Sequence, residues 1–173
     1  MIFLSFLLYF LQSQPCIEVT VDTSFEGKAV YRVYADGSFT LDLTKNFGEG
    51  FEYSAAARVS EDSISSLIHD LSDMGYFSLN DSLIEAQIRQ EAQKTSVRLM
   101  VYDASIYTMR ILFGGAYHSF HSEGASSYMR QYPNIRDLST ANNAINRMWR
   151  FLFILDALAK SPQVQRRLDQ HKQ

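Results

Sequence analysis

Residues 28–43, KAVYRVYADGSFTLDL, decide the fold class of this 173-residue chain. Two runs rich in β-branched and aromatic side chains flank Asp36-Gly37, a dipeptide that readily takes the positive φ angles of a tight type I′ turn. Tyr31, Val33 and Ala35 fall on one face of the first run, and Phe39, Leu41 and Leu43 on one face of the second. An antiparallel hairpin with one apolar face follows. Upstream, residues 17–23 (IEVTVDT) alternate apolar and polar as a half-buried strand does. Downstream, Gly48 and Gly50 mark a turn, and residues 51–59 (FEYSAAARV) extend the meander by another strand.

The period then changes. Ser60 followed by Glu61 and Asp62 supplies a helix cap and a first turn that suits the dipole. Ile64, Leu67, Ile68, Leu71 and Met74 recur at helical spacing, and Gly75 stops the helix. Tyr76, Phe77 and Leu79 follow as an apolar clasp, and residues 81–93 carry a weaker helical pattern. Strands are predicted at 95–102 (TSVRLMVY) and 106–113 (IYTMRILF), with 116–121 (AYHSFH) extending the sheet after Gly114-Gly115. Residues 122–138 read as a long loop, a kind of segment that is often functional. A last helix is predicted from Ser139 or Thr140. Ile145, Met148, Trp149, Leu152, Leu155 and Ala159 form its stripe, and Phe151, Phe153 and Ile154 widen it until burial on nearly all sides is expected, with coverage of a partner as the alternative. Ser161-Pro162 ends it. The predicted fold is α+β: a mainly antiparallel sheet of about five to seven strands with two or three helices packed on one face.

Met1 to Leu11 (MIFLSFLLYFL) carry no charge, and only Ser5 and Tyr9 interrupt large apolar side chains. The run matches the apolar core of a secretory signal, with Ser13 placed for a cut ahead of Gln14. It lacks the basic start, since the first Lys or Arg is Lys28. A membrane span needs about 20 apolar residues, twice what is here. The domain reading is a leader over 1–15 and a single domain over 16–173, in a periplasmic, secreted or envelope-associated protein. The alternative is a cytoplasmic protein with residues 1–11 packed inside. Cys16 is the sole cysteine, so no internal disulfide exists. Its place just after the apolar run makes it a candidate lipidation site, although Ser13, Gln14 and Pro15 are not the residues that usually precede one.

Hydrophobic residues at 46% and charged residues at 20% describe a globular chain rather than a disordered one. A net charge of −3 argues against nucleic acid as a partner. From Asn143 to Gln173, six Lys or Arg stand against two Asp, so that segment is +4 and the remainder −7. No like-charge block is long enough to read as a binding tail. Membrane contact is expected only through the leader or a lipid, and oligomeric state is left open.

The arrangement resembles a group of small bacterial secreted or lipoprotein domains of unknown function. The resemblance rests on the hairpin from Tyr34 to Leu41, the helix and clasp from Ser60 to Leu79, and a strand beginning with Thr from Thr95 to Tyr102. It covers roughly residues 17–113. It implies a cell-envelope setting and no known activity, and brings no catalytic residues. The 114–138 segment and the last helix fall outside it.

For chemistry, His118 and His121 stand first. On a strand, residues three apart face opposite sides, so a shared metal requires a loop. Glu123 would be a third ligand, where zinc takes three or four. Ser126 or Ser127 with either histidine and Asp137 offers a hydrolase triple, without the G-x-S-x-G elbow that exposes a nucleophile. His69 and His171 are unlike catalysts. There is no P-loop or G-x-G-x-x-G, and neither cofactor nor metal is called for. Tyr117, Tyr128 and Tyr132 are candidate anchors of a binding surface with His118 and His121. The leading expectation is an exported binding domain contacting a protein or envelope component through the sheet edge and the 114–138 segment. The alternatives are a small envelope hydrolase or metal-dependent enzyme at His118/His121, and a cytoplasmic inhibitor or immunity-type protein.

Overall fold

The computed structural model describes residues 14–23, 27–44, 52–95, 106–123 and 125–160. The leader, the segment 96–105, the glycines at 48 and 50, and the tail with His171 lie outside them. Among the described residues, six strands form one antiparallel sheet: β1 (Ile17–Thr23), β2 (Gly27–Val33), β3 (Ser38–Thr44), β4 (Glu52–Arg58), β5 (Ile106–Phe113) and β6 (Ala116–Glu123). Their spatial order is β4-β3-β2-β1-β5-β6. Among the described residues, four α-helices accompany them, α1 (Glu61–Asp73), α2 (Asp81–Thr95), α3 (Ala125–Gln131) and α4 (Arg136–Ala159), with a short 3-10 helix at Tyr76–Ser78. The fold is α+β, as the sequence patterns require.

The Asp36-Gly37 turn does form, one residue longer than the tight two-residue version. Tyr34 N–H donates to Ser38 O at 2.8 Å and Gly37 N–H to Tyr34 O at 3.0 Å, so Ala35, Asp36 and Gly37 make up the loop. Gly37 takes φ 80°. The Asp36 carboxylate favours this form by accepting from the Ser38 N–H and hydroxyl, bonds that lower its pKa. Gly114 and Gly115, at φ 60° and 81°, close the β5–β6 hairpin.

β1 lies between β2 and β5, with Val19 opposite Tyr31 on one side and Met109 on the other. Alternation puts Ile17, Val19, Tyr31, Val33, Phe39, Leu41, Met109, Ile111 and Phe120 on one buried face. The helices bring Ile64, Leu67, Leu71, Leu138, Ile145, Met148, Leu152 and Leu155 to the same core. The opposite face carries polar residues, among them Arg32 bridging Glu18 at 3.1 Å and Asp42 at 2.7 Å.

Three expectations are revised. Residues 122–138 are not a loop: β6 runs to Glu123, α3 follows, and α4 begins at Arg136 with Ile135 at its cap. Among the described residues that makes four α-helices, against the two or three expected. Apolar Tyr132, Ile135 and Leu138 explain it, because their burial anchors a polar stretch in helical form. Thr95, expected to open a strand, ends α2. Finally, α4 is not buried all round. Phe151, Leu152 and Leu155 are buried, while Trp149, Phe153 and Ile154 are 40%, 74% and 46% exposed. A straight helix over a single sheet face cannot bury a stripe wider than its contact.

Candidate functional site

The two histidines stand on opposite faces of β6. Ile111 and His118 are register partners, as are Met109 and Phe120, so His118 shares the core-side face. There its ring meets Phe77 edge-on at 5.0 Å, and Phe77 stacks on Phe113 at 4.1 Å. His118 is a member of an aromatic cluster that closes the end of the hairpin. His121 points the other way, beside Thr108, with Nδ1 and Oγ1 3.0 Å apart.

His121 has a second tie through its main chain. Backbone pairing alternates along an antiparallel ladder, and Leu112 N–H donating to Cys16 O fixes the phase on β5. The N–H groups of Tyr117, Ser119, His121 and Glu123 therefore point outward from the β6 edge. Asp81 Oδ2 accepts the His121 N–H at 2.9 Å. Asn80 caps α2 by accepting the Leu83 N–H at 3.0 Å, which puts Asp81 in the first turn. The start of α2 thus docks against the sheet edge. The other carboxylate oxygen, Oδ1, is buried without a protein partner. Behind it Tyr76 donates to Met109 O at 3.3 Å. Burial, and secondarily the Asp81 charge, push the Tyr76 phenol well above its ordinary pKa.

Between α2 and β6 lies a cleft of about 290 Å³. Ile84, Ile88, Phe120 and Leu138 make its apolar floor, and Asp81, Glu85, Arg89, His121, Glu123 and Tyr128 its polar rim. Glu85 and Arg89 pair at 3.0 Å one turn apart on α2. An apolar floor with a few convergent polar groups is the usual form of a small-ligand or side-chain pocket, and this volume is at the small end of that range.

Of the expected site residues, the cleft brings together His121, Tyr128 and Glu123. His118 is not among them. Tyr117 lies on the far face, where its hydroxyl donates to Pro15 O at 2.8 Å and Arg110 sits 4.0 Å above its ring. These contacts hold the segment entering β1 against β6. Tyr132, expected at the surface, is 6% exposed and packs in the core. The side chains of Ser126 and Ser127 lie outside the description. Among the described residues, no group of three or more His, Cys, Asp or Glu is placed to hold a metal.

Cys16 is buried at the start of β1, and its thiol donates to Val33 O at 3.3 Å. Burial raises its pKa. A lipid on this sulfur requires the thiol to leave that contact. Among the described residues, no helix is long and apolar enough to cross a membrane.

The α2 side of the cleft is faint in the sequence. Its signal was present in Ile84 and Ile88, four apart, and Glu85 and Arg89 with the same spacing. The low mean hydropathy of the segment hid it. A second apolar surface lies on α4, where Trp149 meets Tyr107 edge-on at 5.6 Å and Phe153 projects one turn further. No protein-family model matches the chain, and no curated protein is significantly similar to it in sequence.

Proposed function

We propose that this chain is an exported binding domain that contacts a protein or another component of the cell envelope, and that the cleft between α2 and β6 is its contact site. The observation that carries the reading is the cleft's build: an apolar floor ringed by charged and hydroxyl groups from α2, β6 and α3. Such a pocket receives an apolar side chain or small amphiphile and orients it by its polar end. His121 brings a positioned imidazole to the rim, its ring held by Thr108 and its main chain by Asp81. The apolar leader supports export.

Two measurements test this. Titrating small amphiphilic probes into isotopically labelled protein should shift the amides of Ile84, Ile88, His121 and Tyr128 together. Shifts confined to Trp149–Ile154 would transfer the contact site to α4. Intact mass of the protein from fractionated native cells tests the setting. A periplasmic or membrane form lacking the first 13 to 15 residues fits export; a full-length cytosolic form contradicts it and favours a cytoplasmic inhibitor.

A further inference from the structure

The rim of the cleft between α2 and β6 is unevenly charged. Asp81, Glu85 and Glu123 bring three carboxylates to it, against the single guanidinium of Arg89. Arg89 is already committed to Glu85, at 3.0 Å. Glu123, exposed at the end of β6, has no ion pair among the described residues. Asp81 accepts the His121 N–H through Oδ2 at 2.9 Å, a bond that does not neutralise its charge. Its Oδ1 is shielded from solvent and has no described donor. A charge so placed is screened less than one at the open surface.

An anion finds no comparable welcome. The start of α2, where unbonded amides would draw one, is capped by the Asn80 side chain, which accepts the Leu83 N–H at 3.0 Å. Asp81 in the first turn offsets the positive end of the helix. Below the rim the surface is apolar. Ile84 and Ile88 stand one turn apart on α2, about 6 Å along its axis, and Phe120 and Leu138 complete the floor. At about 290 Å³ the cleft has room for one side chain rather than a large ligand.

On the reading that the cleft is the contact site, we infer that it receives a lysine side chain from the surface of a partner protein. The aliphatic stem lies on the apolar floor and the ammonium sits at the carboxylate rim. Long cationic side chains bind in this way, stem on apolar surface and head in water. Glu85, Arg89, His121 and Glu123 are all exposed, so the rim stays wet. A compact, strongly hydrated ammonium suits such a rim, whereas a guanidinium suits drier, bidentate partners. A free amine of this size has few atoms with which to offset the cost of binding. A lysine carried by a protein adds the contacts of the interface around it. Each exposed rim charge contributes little by itself, and the preference for a cation comes from their sum.

The test is an amide-resolved titration of the isotopically labelled protein at low salt. The probes are three blocked peptides, identical except for lysine, norleucine or glutamate at the centre, and free butylammonium. The lysine peptide should shift the amides of Ile84, Ile88, His121 and Tyr128 and bind about tenfold or more tightly than the other two peptides. Glu85→Gln removes a carboxylate and frees Arg89, and should weaken the lysine peptide about two- to fivefold. Arg89→Gln should strengthen it by a similar factor. A merely structural role for this exposed pair would move both variants in the same direction. Norleucine or glutamate binding at the same amides as tightly as lysine overturns the cation assignment while leaving the cleft as contact site. Butylammonium binding without the lysine peptide overturns the assignment to a protein. No shift at these amides from any probe overturns the contact-site reading itself, and the lysine assignment with it.

Discussion

Tyr31 on β2 donates its hydroxyl to Asp156 Oδ1 on α4 at 3.0 Å, joining the sheet to the last helix across 125 residues of chain. Tyr31 is 4% exposed. Burial, and then the neighbouring Asp156 charge, push its phenol well above the ordinary tyrosine value. Tyr31→Phe should cost about 1.5–3 kcal/mol in chemical denaturation, the usual range for a hydrogen bond to a charged group. The pH dependence has a definite sign. A folded pKa above the unfolded one gives stability that is complete below about pH 10, the unfolded tyrosine value, and is lost as pH rises toward the folded value. Tyr76 acts in the same direction. Ultraviolet titration of phenolate should show both tyrosines ionising only as the protein unfolds.

Gly37 and Gly114 both have positive φ, yet they should respond differently to alanine. A Cβ on Gly37 collides with the carbonyl oxygen of Val59, the residue whose N–H is bonded to Gly37 O; one on Gly114 meets nothing within 4 Å. Gly114→Ala should cost about 1–2 kcal/mol for left-handed backbone alone. Gly37→Ala adds the collision and should cost about 3 kcal/mol or more, with loss of the β3–β4 pairing. Thermal denaturation of the two variants side by side measures the difference.

This hairpin also shows what the sequence made legible. The strands and the glycine at the turn were readable because alternation and turn chemistry are local. So were Ser60 as a cap, with the Ser63 N–H donating to its hydroxyl at 3.2 Å, and the opposite facing of His118 and His121. Insertion of β1 between β2 and β5 was not, since nothing near Ile17 encodes its pairing with Ile111. The cleft was legible by half. Its β6 side drew notice through histidine and tyrosine, but its α2 side depends on Asp81 meeting a main-chain N–H 40 residues away. Tyr132 was misplaced for a related reason. A tyrosine between polar residues looks exposed until tertiary packing covers it.

Removing the Asp81 carboxylate should loosen the cleft rather than unfold the domain. Asp81→Ala deprives the His121 N–H of its acceptor on the sheet edge. Amide exchange at His121 should accelerate about tenfold, the equivalent of roughly 1.4 kcal/mol of lost protection. Asp81→Asn keeps an acceptor and should lie between. Exchange at Val19 and Met109, in the sheet centre, should not change.

The Cys16 thiol should be slow to react. It is 8% exposed and bonded to Val33 O, and burial disfavours the thiolate that does the chemistry. A disulfide reagent should label it at least about tenfold more slowly in the folded protein than in denaturant. A chain lipidated in cells would show no thiol in either state.

The most direct test of the account replaces single residues with a photo-reactive amino acid and irradiates living cells of the native host. Glu123 reports on the cleft rim, Phe153 on the exposed ridge of α4, and Thr20 on the open face of the sheet. The account predicts a discrete covalent adduct to an envelope component from position 123, weakened when Ile88→Trp fills the cleft, and none from position 20. An adduct formed only from position 153, or one from 123 that survives filling of the cleft, would contradict it.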